Sequence, residues 1–321
     1  MVLRTSFTEL VGCQVPIQQA GMGGVATPEL AAAVADAGGL GMVSMVFVPA
    51  AEVEVTLGAL AKRTGGTVGL NVLMPFLDRE VVEVAASRVR VVEFFYADPD
   101  PVLVSLVHGG GALAAWQVGS LAEARAAVEA GCDFVVVQGT EAGGHVRGQL
   151  SLLPLLESVL GAVDVPVVAA GGIATARGVA AVLAAGAAGA RLGTRFVATR
   201  EADAHPAYVE ALLRASASDT VLTTTFSGMW PDAPHRVLRS CVEAAEAAPD
   251  GAVAQMSFGT KQVPVPRFAV PCPTRDTTGA IEAMALYAGE SAGAVTEVMA
   301  AADVVRELAE GAERLLRAAA G

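Results

Sequence analysis

The chain has 321 residues, 53% of them hydrophobic, with a mean hydropathy of +0.53 and a formal net charge of −12. That acidity, with Lys62 and Lys261 as the only lysines, excludes a nucleic-acid binder, which needs a basic face for phosphates, and gives no hint of an anionic membrane partner. The longest uncharged stretch, residues 101–122, is broken by His108, Gly109 to Gly111, Gln117 and Ser120, so it falls short of the roughly 20 predominantly apolar residues of a membrane span.

No basic segment followed by an apolar run opens the sequence, and Cys13, Cys132, Cys241 and Cys272 form no Cys-x-x-Cys pair. The expectation is a cytoplasmic chain with reduced thiols and no metal site.

In chain order, Val15 to Ala20 reads as a first strand, followed by Gly21-Met22-Gly23-Gly24. Thr27 as N-cap and Pro28 at the first helical position open a helix that stops at Gly38-Gly39. Leu40 to Ser44 is a second short apolar run. A helix over residues 50–63 precedes a third strand, Thr67 to Val72, which carries Asn71 at its end. Asp78 to Arg88 is helical, Val91 to Phe95 a fourth strand, and residues 102–107 a helix before the fifth strand at Ala112 to Gln117. Ser120-Leu121-Ala122-Glu123 is a capping box opening a helix that ends at Gly131. Phe134 to Gln138 makes strand six, rich in β-branched and aromatic residues as a fully buried strand requires. A helix at 151–161, strand seven at 165–170, a helix capped by Thr175 and strand eight at 187–192 complete the series.

Strand and helix thus alternate eight times, with short connections and near-continuous apolar strands. This is the pattern of an α/β chain folded as a (β/α)8 TIM barrel; a doubly wound open sheet is the runner-up. Residues 1–204 and 286–321 are assigned to the barrel, with a helical tail from about Ala292 to Ala320 closing the outer ring. The irregular, Pro-containing segment 205–285 is read as an elaboration covering the mouth.

In such a barrel chemistry sits at the C-terminal ends of the strands, with phosphate commonly bound after strands seven and eight. Those turns are Gly171-Gly172 and Gly193-Thr194-Arg195, the first just before a helix N-terminus that favours an anion. Asn71 and Gln138 end strands three and six, and Met22 follows strand one. Singly, each amide is better explained as satisfying loop backbone, and Met22 as packing. Together with a phosphate site they suit flavin mononucleotide. No Gly-x-Gly-x-x-Gly opens a βαβ unit, so Rossmann-type NAD binding is unsupported. The loop after strand six, Gly139 to Gly148, holds Gly143, Gly144 and His145, an imidazole placed like a catalytic group. Taken alone, a solvated loop histidine explains it equally well. Glu141 is read as a loop-fixing carboxylate, His108 as a cation at a helix C-terminus, and His205 and His235, both beside prolines, as surface groups, with the mouth as the alternative place for His235.

The segments Gln138-Gly-Thr-Glu-Ala-Gly-Gly-His145, Ala170-Gly-Gly-Ile173 and Gly193-Thr-Arg-Phe196, with Gln19-Ala-Gly-Met22, Asn71 and Tyr287 to Gly293, resemble nitronate monooxygenases over nearly the whole chain. The FMN-dependent enoyl-acyl-carrier-protein reductases share most of these motifs. The resemblance implies an FMN barrel whose cofactor is held by Gly21, Met22, Gly23, Asn71, Gln138, Gly143, Gly144, Gly171, Gly172, Arg191, Leu192, Gly193 and Thr194. His145 would be the catalytic residue, as a base toward a nitroalkane or a cation orienting a nitronate, and Glu290 and Ser291 would touch the flavin edge. The implied reaction is oxidation of alkyl nitronates by O2 to carbonyl compounds and nitrite; the alternative is enoyl-thioester reduction by NAD(P)H, and a flavin-free barrel is a third. A homodimer is the expected assembly. Gly21 departs from the family's usual proline.

Overall fold

Runs of β-branched and small apolar residues, each followed by an amphipathic helix, set the architecture. The computed structural model describes residues 3–258 and 261–320. Helix α1 (Ser6–Val11) is followed by strand β1 (Ile17–Gln19), α2 (Pro28–Asp36), β2 (Leu40–Ser44), α3 (Ala50–Arg63) and β3 (Thr67–Leu73). Next come α4 (Arg79–Ala86), β4 (Val91–Phe95), α5 (Pro101–Gly110), β5 (Leu113–Val118), α6 (Leu121–Glu129) and β6 (Phe134–Gln138). A two-residue strand β7 (Gly144–His145) interrupts the alternation before α7 (Leu152–Leu160), β8 (Val167–Ala170), α8 (Ala176–Ala184) and β9 (Gly189–Leu192). The rest comprises α9 (Thr194–Val197), α10 (Pro206–Arg214), β10 (Thr220–Thr223), β11 (His235–Leu238), α11 (Arg239–Ala247), β12 (Ala252–Phe258), β13 (Lys261–Pro266), β14 (Thr278–Gly279) and α12 (Ala301–Ala320).

The strands β1-β2-β3-β4-β5-β6-β8-β9 are all parallel and close on themselves, β9 pairing with β1 through Gln18 opposite Arg191. This is the (β/α)8 barrel. Side chains alternate between its two faces. On β6, Val135 and Val137 face outward into the main core under the helices, while Phe134 and Val136 belong to the inner cluster with Leu40, Met42, Val91, Ala115 and Val168. The same alternation carries Asn71, Glu93, Gln117, Gln138 and Arg191 inward, and Leu192 outward. Polar residues therefore collect inside the barrel without any loop having to bring them there.

The reading from Val15 onward overlooked α1. Its signal is Thr5, whose hydroxyl accepts from Thr8 N while the Thr8 hydroxyl accepts from Thr5 N. The helix plugs the N-terminal end of the barrel, with Phe7 edge-on to Phe134 at 5.3 Å between ring centroids. The expected capping box at Ser120 forms with a shift: Ser120 Oγ accepts from Glu123 N, but the Glu123 carboxylate returns to Gly119 N at 2.8 Å rather than to Ser120. The helical tail, expected from residue 292, begins as α12 at Ala301. It buries Ala301, Val304, Val305, Leu308 and Ala312, the i, i+3, i+4 stripe of an amphipathic helix, and packs on α8 and α2.

Two small antiparallel sheets, β10-β11-β7 and β13-β12-β14, lie in the later part of the chain. The first reaches back to the loop after β6, pairing His145 with His235 and Gly144 with Arg236. Among the described residues no helix is long and apolar enough to cross a membrane.

Candidate active site

At the C-terminal ends of the strands lies a cavity of about 650 Å³, within the range of small-molecule and cofactor sites. One part of its wall is polar: Asn71, Gln117, Gln138, Arg191, Thr194 and the turns at Gly21, Gly143-Gly144, Gly171-Gly172 and Gly193. Another is apolar, with Met45, Phe47, Phe76, Phe95, Met229 and Trp230.

The amides of the polar side are oriented by their partners. Gln138 Nε2 donates to the His145 carbonyl at 3.0 Å, which leaves Gln138 Oε1 buried without a partner. Gln117 Oε1 is likewise unpartnered. Asn71 Nδ2 donates to Glu93 Oε1 at 3.0 Å, leaving its oxygen as the remaining acceptor. Orphaned buried acceptors carry a desolvation cost of about 1–3 kcal/mol each unless a ligand satisfies them, so this floor calls for a ligand bearing hydrogen-bond donors. Arg191 ion-pairs with Glu93 inside the barrel, so its charge is already answered.

The turns after β8 and β9 approach the cavity as bare backbone. Gly171 and Gly172 have φ of +109° and +68°, in the region where side chains are strained. Thr194 Oγ1 accepts from Gly289 N at 3.0 Å, tying the second turn to the segment after Tyr287 while leaving its own proton free to donate. Gly21 explains its own departure from proline: a Cβ there would lie 2.5 Å from Asn71 Cβ. Only glycine lets the loop after β1 pass that close to the amide on β3. Gly21→Ala is expected to displace Asn71 and weaken binding of any ligand on the polar floor about tenfold, the equivalent of 1.4 kcal/mol; ligand titration against the parent protein checks this.

His145 lies where the polar and apolar parts meet. Its ring stacks on Trp230 with centroids 3.9 Å apart and planes at 16°, and Tyr96, itself edge-on to Trp230, stands edge-on to it at 5.9 Å. Its Nε2 has no partner. Burial, and then the neighbouring His235, lower its pKa to about 3, so the imidazole is neutral throughout the physiological range. The cationic orienting role expected as one option is thereby replaced by a neutral ring. His235 is the larger correction: it is fully buried, not a surface group. Its ring bonds the Ala233 carbonyl through Nδ1 at 2.9 Å and accepts from Phe226 N through Nε2 at 3.1 Å. The adjoining prolines belong to a turn that folds inward.

Because the folded-state pKa of His145 lies below its ordinary value of 6.5, the unfolded chain takes up the proton first. Stability is therefore lost as pH falls from about 6.5 toward about 3, and His235, also lowered by burial, acts in the same direction. Urea midpoints measured across that window are expected to decline, and His145→Gln to remove part of the decline.

Other expected groups settle into structural roles. Both Glu141 oxygens accept from Leu152 N at 3.0 Å, fixing the loop against α7 as expected. His108 bonds Asp133 at the end of α5, and His205 caps α10 by accepting from Ala207 N. Arg195 turns away from the cavity to Met299 Sδ at 2.7 Å. Ser291 lines the cavity, whereas Glu290 pairs with Arg236 at 3.1 Å outside it. Leu192 points outward, so only its backbone is near the floor. Met22, Gly23, Asn71, Gln138, Gly143, Gly144, Gly171, Gly172, Gly193 and Thr194 are brought together as cavity lining. Reading the sequence missed Glu93, Gln117, Tyr96 and Trp230. For Glu93 the signal was a carboxylate at the centre of Val91-Val-Glu-Phe-Phe95, where strand alternation turns it inward. The four cysteines are buried and unpaired, and burial pushes each thiol up to about 12.

A closed (β/α)8 barrel that gathers orphaned amides, bare glycine turns and a neutral histidine around one cavity defines a small-molecule enzyme of the barrel class. The chain belongs to the nitronate monooxygenase family, whose model matches residues 4–79 and 74–311, and it is an oxidoreductase. It is 39% identical over 240 residues to (3aS,4S,5R,7aS)-5-hydroxy-7a-methyl-1-oxo-octahydro-1H-indene-4-carboxyl-CoA dehydrogenase of Rhodococcus jostii (strain RHA1), an alignment covering 74% of this chain and 66%, just under two thirds, of that protein. Two solved structures share the fold end to end. FabK from Thermotoga maritima matches with a TM-score of 0.83 at 29% identity, covering 99% of both chains. Nitroalkane oxidase from Streptomyces ansochromogenes matches with a TM-score of 0.80 at 30% identity, covering 99% of this chain and 100% of that one.

Proposed function

We propose that the protein is an FMN-dependent oxidoreductase whose substrate presents an uncharged, bulky apolar reacting part, the alicyclic or long aliphatic acyl group of a thioester, and that His145 handles the substrate's proton. The observation that carries this reading is the cavity itself. Its apolar wall of Phe47, Phe76, Phe95, Met45, Met229 and Trp230 meets an uncharged imidazole, and the guanidinium that lines it, Arg191, is paired with Glu93. Among the described residues lining the cavity, a small nitronate anion would find no unpaired cation to receive it; an apolar body would find its counterpart. The name of the 39% identical Rhodococcus relative, a carboxyl-CoA dehydrogenase, agrees with that substrate class.

The residues present fit FMN. Gln138 Oε1, Gln117 Oε1 and the Asn71 oxygen offer acceptors to the donors of FMN, its ring N–H and its ribityl hydroxyls, and Gly171-Gly172 with Gly193-Thr194 offer backbone and a hydroxyl to a phosphate. When bound, FMN supplies the storage of two electrons on which the redox chemistry depends. The chain's own part is to hold the substrate against Trp230 and the phenylalanines, to exclude water, and to accept or return a proton at His145 Nε2. In the direction of oxidation, bound FMN would supply the acceptor for the hydride equivalent that the substrate gives up, with NAD(P)+ or O2 as the final oxidant, and the chain's part would be to take the accompanying proton at His145 Nε2.

Oxidation of nitronates or nitroalkanes with O2 is the second reading, favoured by the likeness to the Streptomyces nitroalkane oxidase over the whole chain. Neutral nitroalkanes suit the uncharged His145 better than their anions. Steady-state assays with alicyclic acyl thioesters, enoyl thioesters and alkyl nitronates on the FMN-loaded protein separate the two. Turnover of thioesters with NAD(P)+ or NAD(P)H is expected; turnover confined to nitronates would replace the first reading with the second.

A further inference from the structure

Glu93 is a fully buried carboxylate that does not line the cavity but holds two residues that do. Its Oε1 accepts from Asn71 Nδ2 at 3.0 Å and from Arg191 Nη1, and its Oε2 accepts from Gln18 Nε2 at 2.8 Å. Strand register builds this group: Asn71 faces Glu93 across β3 and β4, and Gln18 faces Arg191 across β1 and β9. All four side chains turn into the barrel.

A carboxylate has acceptors only. Opposite Glu93, Asn71 must present its NH2, so its oxygen is the atom left for the cavity. Glutamine at position 93 could both donate and accept, and the Asn71 amide would lose its preference between two orientations half a turn apart. The charge is equally specific. Arg191 is a buried part of the cavity wall, and Glu93 is its counterion; a buried charge left alone is strongly unfavourable and its field extends far in a low-dielectric interior.

We infer that Glu93 is a positioning residue for the flavin: it fixes Asn71 with its oxygen toward the cavity and cancels the charge of Arg191 in the cavity wall. This rests on the FMN reading above. Glu93 touches neither ring nor substrate and acts only through its two neighbours.

The test titrates FMN into flavin-free protein and measures the reduction potential of the bound form. Glu93→Gln is expected to weaken FMN binding roughly tenfold, about the worth of one neutral hydrogen bond, and to move the potential to more positive values, because the uncompensated Arg191 favours the form carrying extra electrons. Adding Arg191→Met should return the potential toward the parent value while binding stays weak. A potential that stays at the parent value in Glu93→Gln would overturn the inference, since a merely structural role would cost affinity alone. Should Glu93→Gln not fold, Glu93→Asp keeps the charge but shortens the reach; weaker binding at an unchanged potential is then expected, and parent-like affinity would overturn the inference. Parent protein that takes up no FMN would remove the FMN reading itself, and this inference with it. FMN uptake by the parent with no effect in the variants would remove only the role given to Glu93.

Discussion

Replacing His145 with glutamine is expected to lower kcat/KM for a neutral substrate by about 10²–10⁴-fold, the range that a positioned acid–base group contributes. The loss should be far smaller for a preformed carbanion such as an alkyl nitronate, from which no proton has to be taken. The substitution is well contained. Gln138 bonds the backbone carbonyl of residue 145 rather than its ring, so the amide floor and FMN affinity should persist. His145 is also held neutral by burial, so the variant removes no charge from the cavity. Equal losses for the neutral substrate and its anion would reject the proton-transfer role.

Trp230→Ala is expected to act twice. The indole is nearly buried and touches His145, Tyr96 at 4.5 Å and Phe76 at 5.4 Å between ring centroids. Its truncation should destabilise the fold by about 3 kcal/mol, the lower end for a buried aromatic because the wall it leaves already borders a cavity. It also opens the stacked face of the imidazole to water. Since burial is the first cause of the lowered His145 pKa, hydration should raise it, and the acidic limb of the kcat/KM profile should move to higher pH. Chemical denaturation and a pH series on one preparation measure both; a loss of stability with an unmoved acidic limb would show that Trp230 does not govern the histidine.

Much of this architecture was legible because parallel strands buried on both faces read as continuous apolar runs, and glycine and capping residues mark where they stop. The eight strands, the glycine turns, Asn71, Gln138 and the Glu141 loop followed from that. Alternation within the strands carried more than was drawn from it: applied to β4 and β5 it turns Glu93 and Gln117 inward, and applied to β9 it turns Leu192 outward. The elaboration was opaque for a different reason. The pairing of Gly144-His145 with His235-Arg236 joins segments far apart in sequence, and no local propensity reports it. His235 therefore looked like a surface histidine beside prolines. Trp230 sits in an irregular stretch without periodicity, so nothing local indicated that its ring would lie on the imidazole. The charge state of His145 was equally out of reach, because it comes from burial by residues of that same distant segment.

The most direct test is an anaerobic absorption titration of the purified protein. The expected result is the spectrum of bound FMN, bleached by an alicyclic or long-chain acyl thioester, or by NAD(P)H and re-oxidised by an enoyl thioester, with alkyl nitronates acting weakly. A protein that binds no FMN, or one whose flavin responds to nitronates and ignores both thioesters and NAD(P)H, would contradict it.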